Sequence, residues 1–206
     1  MTVNQGVVGS SPTWGANVSD MSKYELKHGE NFSYVENVLS DDEIKYLMNH
    51  WDNIDIGTVL INTNGWDVWS DKKTVIDIND RYVEIVGIPK HNIDFLSEKI
   101  KTIFSLVVDY DFGIEGPHYF TKYSTGGFHS RHKDGGTHNN VTRDKVITIQ
   151  LTDENQYEGG DLIINGEIAP RSKGTFILYS GMDPHEVTKV TKGERYSITE
   201  CAGEIK

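Results

Sequence analysis

The chain has 206 residues, a net charge of −11 and a pI near 5.1, which is long enough for one domain with a sizeable buried core. The acidic balance works against general binding of phosphate backbones, so no nucleic acid is expected as a partner, and none of the apolar runs reaches membrane-spanning length or forms a signal h-region. The one cysteine, Cys201, excludes an internal disulfide and points to a reducing, cytoplasmic compartment.

Residues 1–20 are rich in Gly, Ser, Asn and Thr without periodicity and read as a flexible tail. Val8-Gly9-Ser10-Ser11-Pro12-Thr13 back-translates as GTG GGT TCG AGT CCC AC, a self-complementary stem around a TTCGAGT loop in the form of a transfer-RNA T-arm. Trp14 to Asn17 then permits an acceptor strand ending in CCA. The expectation is that the gene abuts or overlaps a transfer-RNA gene, that translation starts at Met21, and that residues 21–206 form a single domain. Codons that break the stem would refute it.

From Tyr24 onward the pattern is that of a folded domain. Tyr34 to Leu39 reads as a strand. Ser40-Asp41-Asp42-Glu43 is a capping box opening a helix, with Ile44, Leu47, Met48 and Trp51 as its apolar face. Thr58 to Asp80 holds short strand-like pieces about the turn signal Asn64-Gly65. Trp66 and Trp69 in that stretch fit packing better than substrate contact, although the segment itself is a candidate to fold over an extended substrate. Pro89 precedes a second helix from about Asn92 to Val107, with Ile93, Phe95, Leu96, Ile100, Ile103 and Phe104 inward.

After Asp109 the pattern turns to strands: Tyr119 to Tyr123, Val146 to Leu151, Asp161 to Ile164, Gly174 to Tyr179 and Arg195 to Glu200. Glycine-bearing turns between them favour an antiparallel sandwich or barrel. Helices first and strands after predict a mainly β chain with flanking helices (α+β), its core a double-stranded β-helix of jelly-roll or cupin-like form with the helices packed on one sheet.

The chemistry concentrates in that second half. In His132-Lys133-Asp134 the outer residues stand at i and i+2, the same side of an extended chain. His185 follows Asp134 by 51 positions, far enough to lie on another strand. Two imidazoles and one carboxylate hold Fe(II) on one face of its octahedron and leave the other face open, the ligand set of non-haem iron oxygenases. Arg195, ten positions after His185, carries a planar fork that matches a carboxylate, and Ser197 shares its side of the strand. An H-x-D tripeptide alone is an ordinary surface loop; His185, Arg195-x-Ser197 and Gly159-Gly160-Asp161-Leu162 together make the pattern specific. His129, Arg131 and His138 read as solvent-facing or supporting groups rather than ligands. The polar loop Gly135 to Lys145 reads either as a connector or as a lid over the substrate.

The stretch Tyr123-x-x-Gly126 to His132-x-Asp134, together with Gly159-Gly160-x-Leu162, Asp183-Pro184-His185 and Gly193-Glu194-Arg195-Tyr196-Ser197, resembles the prolyl-4-hydroxylase-like branch of the 2-oxoglutarate/Fe(II) dioxygenase superfamily. The resemblance runs from about Asn31 to the C-terminus and is densest after Tyr119. It implies Fe(II), 2-oxoglutarate and O2 as cofactors, with ascorbate as a supporting reductant. It implies that Arg195 pairs with the distal carboxylate of 2-oxoglutarate, with Ser197 and Tyr123 adding hydrogen bonds. The implied reaction decarboxylates 2-oxoglutarate to succinate and CO2 and hydroxylates an unactivated C–H bond, a peptidyl proline being the first candidate. Gln150 departs from the pattern, standing where many relatives carry a tyrosine that helps hold 2-oxoglutarate. Two rival readings remain: hydroxylation of a free amino acid or other small molecule, and a non-catalytic cupin-like metal or ligand binder, for which a dicarboxylate clamp would have no use.

Overall fold

The computed structural model describes residues 23–53, 73–77, 79–108, 110, 112–138 and 141–204. The tail expected at residues 1–20, the Asn64-Gly65 turn, Trp66 and Trp69 lie outside these residues. No described helix is long and apolar enough to cross a membrane.

The chain enters through β1 (Lys27–His28) and β2 (Phe32–Val35), followed by α1 (Asp41–Asn53), β3 (Lys73–Asp77), β4 (Arg81–Ile88) and α2 (Asp94–Phe104). The rest is strand: β5 (Phe112–Ser124), β6 (Phe128–His132), β7 (Thr137–His138), β8 (Val141–Thr142), β9 (Lys145–Gln150), β10 (Tyr157–Gly159), β11 (Leu162–Ile164), β12 (Glu167–Ile168), β13 (Phe176–Ser180), β14 (His185–Val187) and β15 (Val190–Glu204). One antiparallel sheet orders them β1-β2-β13-β9-β15-β5-β4-β6-β14-β11-β12, with β10 on β15 and β3 on β4; β7 and β8 form a separate hairpin. This curled sheet carrying two helices is the jelly-roll arrangement that the order of elements predicts.

Both faces of the central strands are buried, and the period-2 alternation shows how. In β13, Phe176 and Leu178 face the helices while Ile177 and Tyr179 face the interior of the curl. In β9, Ile147 and Ile149 join the helix-side core and Val146 the interior. In β15, Ile198 and Ala202 turn to the helices. The helix-side core is closed by Leu47 and Trp51 of α1 and by Leu96, Ile100, Ile103 and Phe104 of α2. Burying a side chain of this size contributes roughly 1.5–3 kcal/mol. The capping box forms: Ser40 N–H donates to Glu43 Oε2 at 2.7 Å, and Glu43 N–H to Ser40 Oγ at 3.3 Å. Glu43 also takes Lys99 of α2 at 2.8 Å, which ties the two helices together.

Three expectations change. The first strand stops at Val35, because Asn37 adopts a left-handed backbone (φ 56°) and turns the chain. Val38 and Leu39 are buried, but their N–H groups go to the Gly174 carbonyl rather than to a ladder. Arg81–Ile88, which the pattern left unassigned, is a strand paired with both β5 and β6. Part of the loop from Gly135 to Lys145 folds as the β7–β8 hairpin, with Gly135 N–H held by the Gly181 carbonyl at 2.7 Å; Asn139 and Asn140 lie outside the described residues.

Candidate metal centre and carboxylate pocket

Strand register brings the two histidines together. β14 and β6 are antiparallel neighbours, and His185 and His132 are direct partners across them, so their side chains leave the same face. The rings stand 4.2 Å apart between centroids. Asp134 completes the group from just beyond the strand, since β6 ends at His132; the extended i, i+2 geometry predicted for the pair therefore stops one residue short of Asp134, and the turn supplies the rest. Asp134 Oδ1 lies 3.6 Å from His132 Nε2, and Oδ2 lies 3.3 Å from His185 Nε2. One ligand atom from each of the three falls within 4.8 Å of the others.

The imidazoles are oriented by their own strands. His132 Nδ1 is 2.8 Å from the Ser130 carbonyl, and His185 Nδ1 is 3.0 Å from the Asp183 carbonyl. A carbonyl only accepts, so each Nδ1 carries the proton and each Nε2 presents a lone pair to the centre. Burial holds the His132 ring below its ordinary pKa, and the adjacent His185 ring adds to the effect. His129 stacks on His132 at 3.7 Å and is pushed down to about 3 by burial, with His132 and Arg81 beside it adding to the effect. For Asp134 burial pushes upward, but its histidine neighbours outweigh it and hold the carboxyl below its ordinary value. Neutral imidazoles and an ionised carboxylate are the states that bind a divalent metal, so the group fits an iron site by the chemistry of its donors.

Deeper in the curl lies Arg195. It is 1% exposed and partners Tyr123 of β5 across the ladder, while Ser197 partners Thr121 of β5 and Gln150 of β9. Register partners share a face, so Arg195, Ser197, Tyr123, Thr121 and Gln150 converge inside the sheet. Arg195 Nη1 donates to Ser197 Oγ at 3.1 Å and Nη2 to Gln150 Oε1 at 3.0 Å. Its carbon Cζ lies 5.4 Å from the Tyr123 ring centroid. Nε is buried with no partner, and no ion pair engages Arg195 among the described residues. A buried guanidinium without a counter-charge is costly, and the sites that satisfy it are those that receive an anion. Gly160 adjoins it: a Cβ there would meet Val190 Cγ2 at 2.9 Å and Arg195 Cδ at 3.3 Å, on a backbone with φ +65°, which is the reason for the second glycine of Gly159-Gly160-x-Leu162.

Tyr123 and Tyr179 lie between the two groups. Burial raises the pKa of both; Asp134 pushes them further up, and Arg195 pulls Tyr123 partly back. Tyr179 sits edge-on to His185 at 4.9 Å and shares a 3.2 Å hydrogen bond with Thr148. Sequence reasoning placed His132, Asp134, His185, Arg195, Ser197 and Tyr123 in one site; the fold gathers the first three, with His132 and Asp134 half-buried, and buries Arg195, Ser197 and Tyr123 on neighbouring strands. It missed Thr121, Thr148, Tyr179 and the contact of Gln150 with Arg195. Their alternation in β5, β9 and β13 was visible, but the register that sets Thr121 opposite Ser197 and the curl that brings Tyr179 beside His185 were not. Arg131 is exposed, as expected, and His138 lies in β7.

Residues 118–201 match the family model of the 2OG-Fe(II) oxygenase superfamily. A PKHD-type hydroxylase of Picosynechococcus sp. is 36% identical over 80 residues, covering 37% of this chain and 36% of the relative. One from Acinetobacter baumannii is 26% identical over 175 residues, 79% and 73% of the two chains. The matched segment thus spans little more than a third of the first relative's length, and nearly three quarters of the second's. Among solved structures, the viral collagen prolyl hydroxylase of Paramecium Bursaria Chlorella virus-1 superposes with a TM-score of 0.61 at 18% identity, over 84% of this chain and 96% of the neighbour. A prolyl hydroxylase from Trichoplax adhaerens, solved with a hypoxia inducible factor peptide fragment, gives 0.61 at 17% identity over 90% and 86%. At these identities the structural likeness is one of fold.

Proposed function

We propose that this chain, whose residues 118–201 match the 2OG-Fe(II) oxygenase superfamily model and which is similar to PKHD-type hydroxylases, is an oxygenase of the prolyl hydroxylase-like branch that hydroxylates an unactivated C–H bond of a peptidyl residue, proline first, with 2-oxoglutarate converted to succinate and CO2. Membership implies Fe(II), 2-oxoglutarate and O2. The observation that carries the co-substrate reading is Arg195: a fully buried guanidinium with an orphaned Nε and no carboxylate partner among the described residues, facing the same interior as His132, Asp134 and His185.

In this reading His132 and His185 ligate through Nε2, each kept in the required tautomer by its Nδ1 hydrogen bond, and Asp134 ligates through the carboxylate that lies between them. The bound iron and co-substrate supply the oxidising chemistry. The protein supplies orientation and a dry pocket. Arg195 pairs with the distal carboxylate of 2-oxoglutarate, and Ser197, tied to Thr121 Oγ1 at 2.7 Å, holds the guanidinium in plane. Tyr123 and Tyr179 keep their protons because burial raises their pKa, so each can donate a hydrogen bond but adds no charge beside the metal.

A peptide substrate is supported by the Trichoplax neighbour, which was solved with one. The net charge of −11 favours a neutral or basic peptide. The test is a peptide-library reaction with Fe(II), 2-oxoglutarate and ascorbate, read by mass spectrometry for a gain of one oxygen and by succinate release. Oxidation of free amino acids but never of peptides removes the substrate assignment. No succinate across a broad panel leaves only a binding protein.

A further inference from the structure

Gln150 departs from the residue expected at its position, and its contacts give it a different task. It is 1% exposed, and its backbone is fixed on both sides: N–H to the Thr175 carbonyl at 3.0 Å, carbonyl from Gly174 N–H at 2.8 Å. Its side chain bridges two fixed points. Oε1 accepts from Arg195 Nη2 at 3.0 Å, and Nε2 donates to the Pro170 carbonyl at 3.2 Å. The Pro170 contact sets the amide's sense, because the flipped amide would aim its NH2 at a guanidinium and its oxygen at a carbonyl. On the other flank Ser197 Oγ accepts from Nη1 and is itself held by Thr121. Both terminal nitrogens of Arg195 are therefore pinned by neutral acceptors. The plane of the guanidinium is set while its charge is left uncancelled. An alkyl side chain at position 150 would leave Nη2 without an acceptor, and a carboxylate would neutralise the arginine. An amide orients without neutralising.

We propose that Gln150 is a positioning residue that keeps Arg195 oriented and free of a counter-charge for the distal carboxylate of the co-substrate, and so sets the preference for a 2-oxo dicarboxylate over a 2-oxo monocarboxylate of the same length. This rests on the reading of Arg195 as the carboxylate clamp.

The test uses the full chain loaded anaerobically with Fe(II) and calorimetric titration with 2-oxoglutarate and with 2-oxovalerate, which lacks the distal carboxylate. Gln150→Leu is expected to weaken 2-oxoglutarate about tenfold and to leave 2-oxovalerate unchanged. Gln150→Glu is expected to weaken 2-oxoglutarate about a hundredfold or more, again sparing 2-oxovalerate, because the new carboxylate pairs the buried guanidinium. A residue that merely packs would not weaken one 2-oxo acid and spare the other. Iron affinity stays the same in both variants. The inference is overturned if both variants bind 2-oxoglutarate within about twofold of wild type, or if Gln150→Leu weakens both 2-oxo acids equally. If the wild type itself does not distinguish the two acids, the clamp reading fails and takes this inference with it.

Discussion

Replacing Arg195 with methionine separates co-substrate binding from everything else the site does. Arg195 is 1% exposed, so solvent screens its charge little. Removing one partner of a buried charge-assisted pair costs about 2–5 kcal/mol, which at about 1.4 kcal/mol per tenfold is a loss of roughly thirtyfold to several-thousandfold in 2-oxoglutarate affinity. The ligand-free protein should hardly notice. Methionine removes a buried charge that has no counter-ion, which offsets the cost of leaving Gln150 Oε1 without its donor, about 1–3 kcal/mol. The assay is thermal melting of the iron-loaded protein with and without 2-oxoglutarate. At a hundred times its Kd the ligand stabilises the wild type by about 2.7 kcal/mol, a rise of about 5–11 °C for a domain of this size. Arg195→Met at the same concentration should show a rise of no more than about 3 °C, and Arg195→Lys one between that and wild type, since the charge remains but the fork does not. A full shift in Arg195→Met, or unchanged calorimetric affinity, would refute the clamp.

Other expectations follow from the same geometry. His132→Ala and His185→Ala should each lose iron, because two remaining protein ligands no longer cap one face of the metal; iron content after desalting measures it, and wild-type content in either variant contradicts the ligand set. Burial keeps the folded pKa of His132 below its ordinary value and Asp134 is also held low, so neither should give up its metal-binding state between pH 8 and 7; metal titration across that range checks that iron affinity does not fall on this account. Burial pushes the Cys201 thiol up to about 12, so iodoacetamide at pH 8 should leave it unmodified in the folded protein and label it after denaturation, as mass spectrometry will show. Glu43→Ala should destabilise by about 2–4 kcal/mol in chemical denaturation, more than the ~1 kcal/mol of a cap alone, because it also removes the counter-charge of Lys99, whose side chain is only 14% exposed and keeps just its bond to the Val38 carbonyl.

The residues that carry chemistry were legible in the sequence because their requirements are local or nearly so. A capping box needs four consecutive residues, and Ser40 to Glu43 forms one. Metal ligands need particular side chains at spacings that put them on neighbouring strands, and His132, Asp134 and His185 meet that need. Alternation along Val146 to Gln150 and Phe176 to Tyr179 announced strands, and the glycine pair at 159–160 announced a tight, crowded turn. What stayed hidden depended on register. A one-residue slip between β15 and β9 would turn Gln150 away from Arg195 without changing any local pattern, so only the closed sheet decides that Ser197 opposes Gln150 and Thr121. β4 was hidden for a related reason: in Arg81–Ile88 Val83 joins the interior core and Val86 and Ile88 the helix-side core, while the other side chains of its first half stay half-buried, so its residues show no clean alternation of polar and apolar. The sequence by itself determined which groups are candidates to bind and most of the elements that form. The tertiary structure decided that a lone guanidinium would be buried among neutral acceptors, because only strands distant in the chain, brought side by side, can exclude water from it and still leave its charge unpaired.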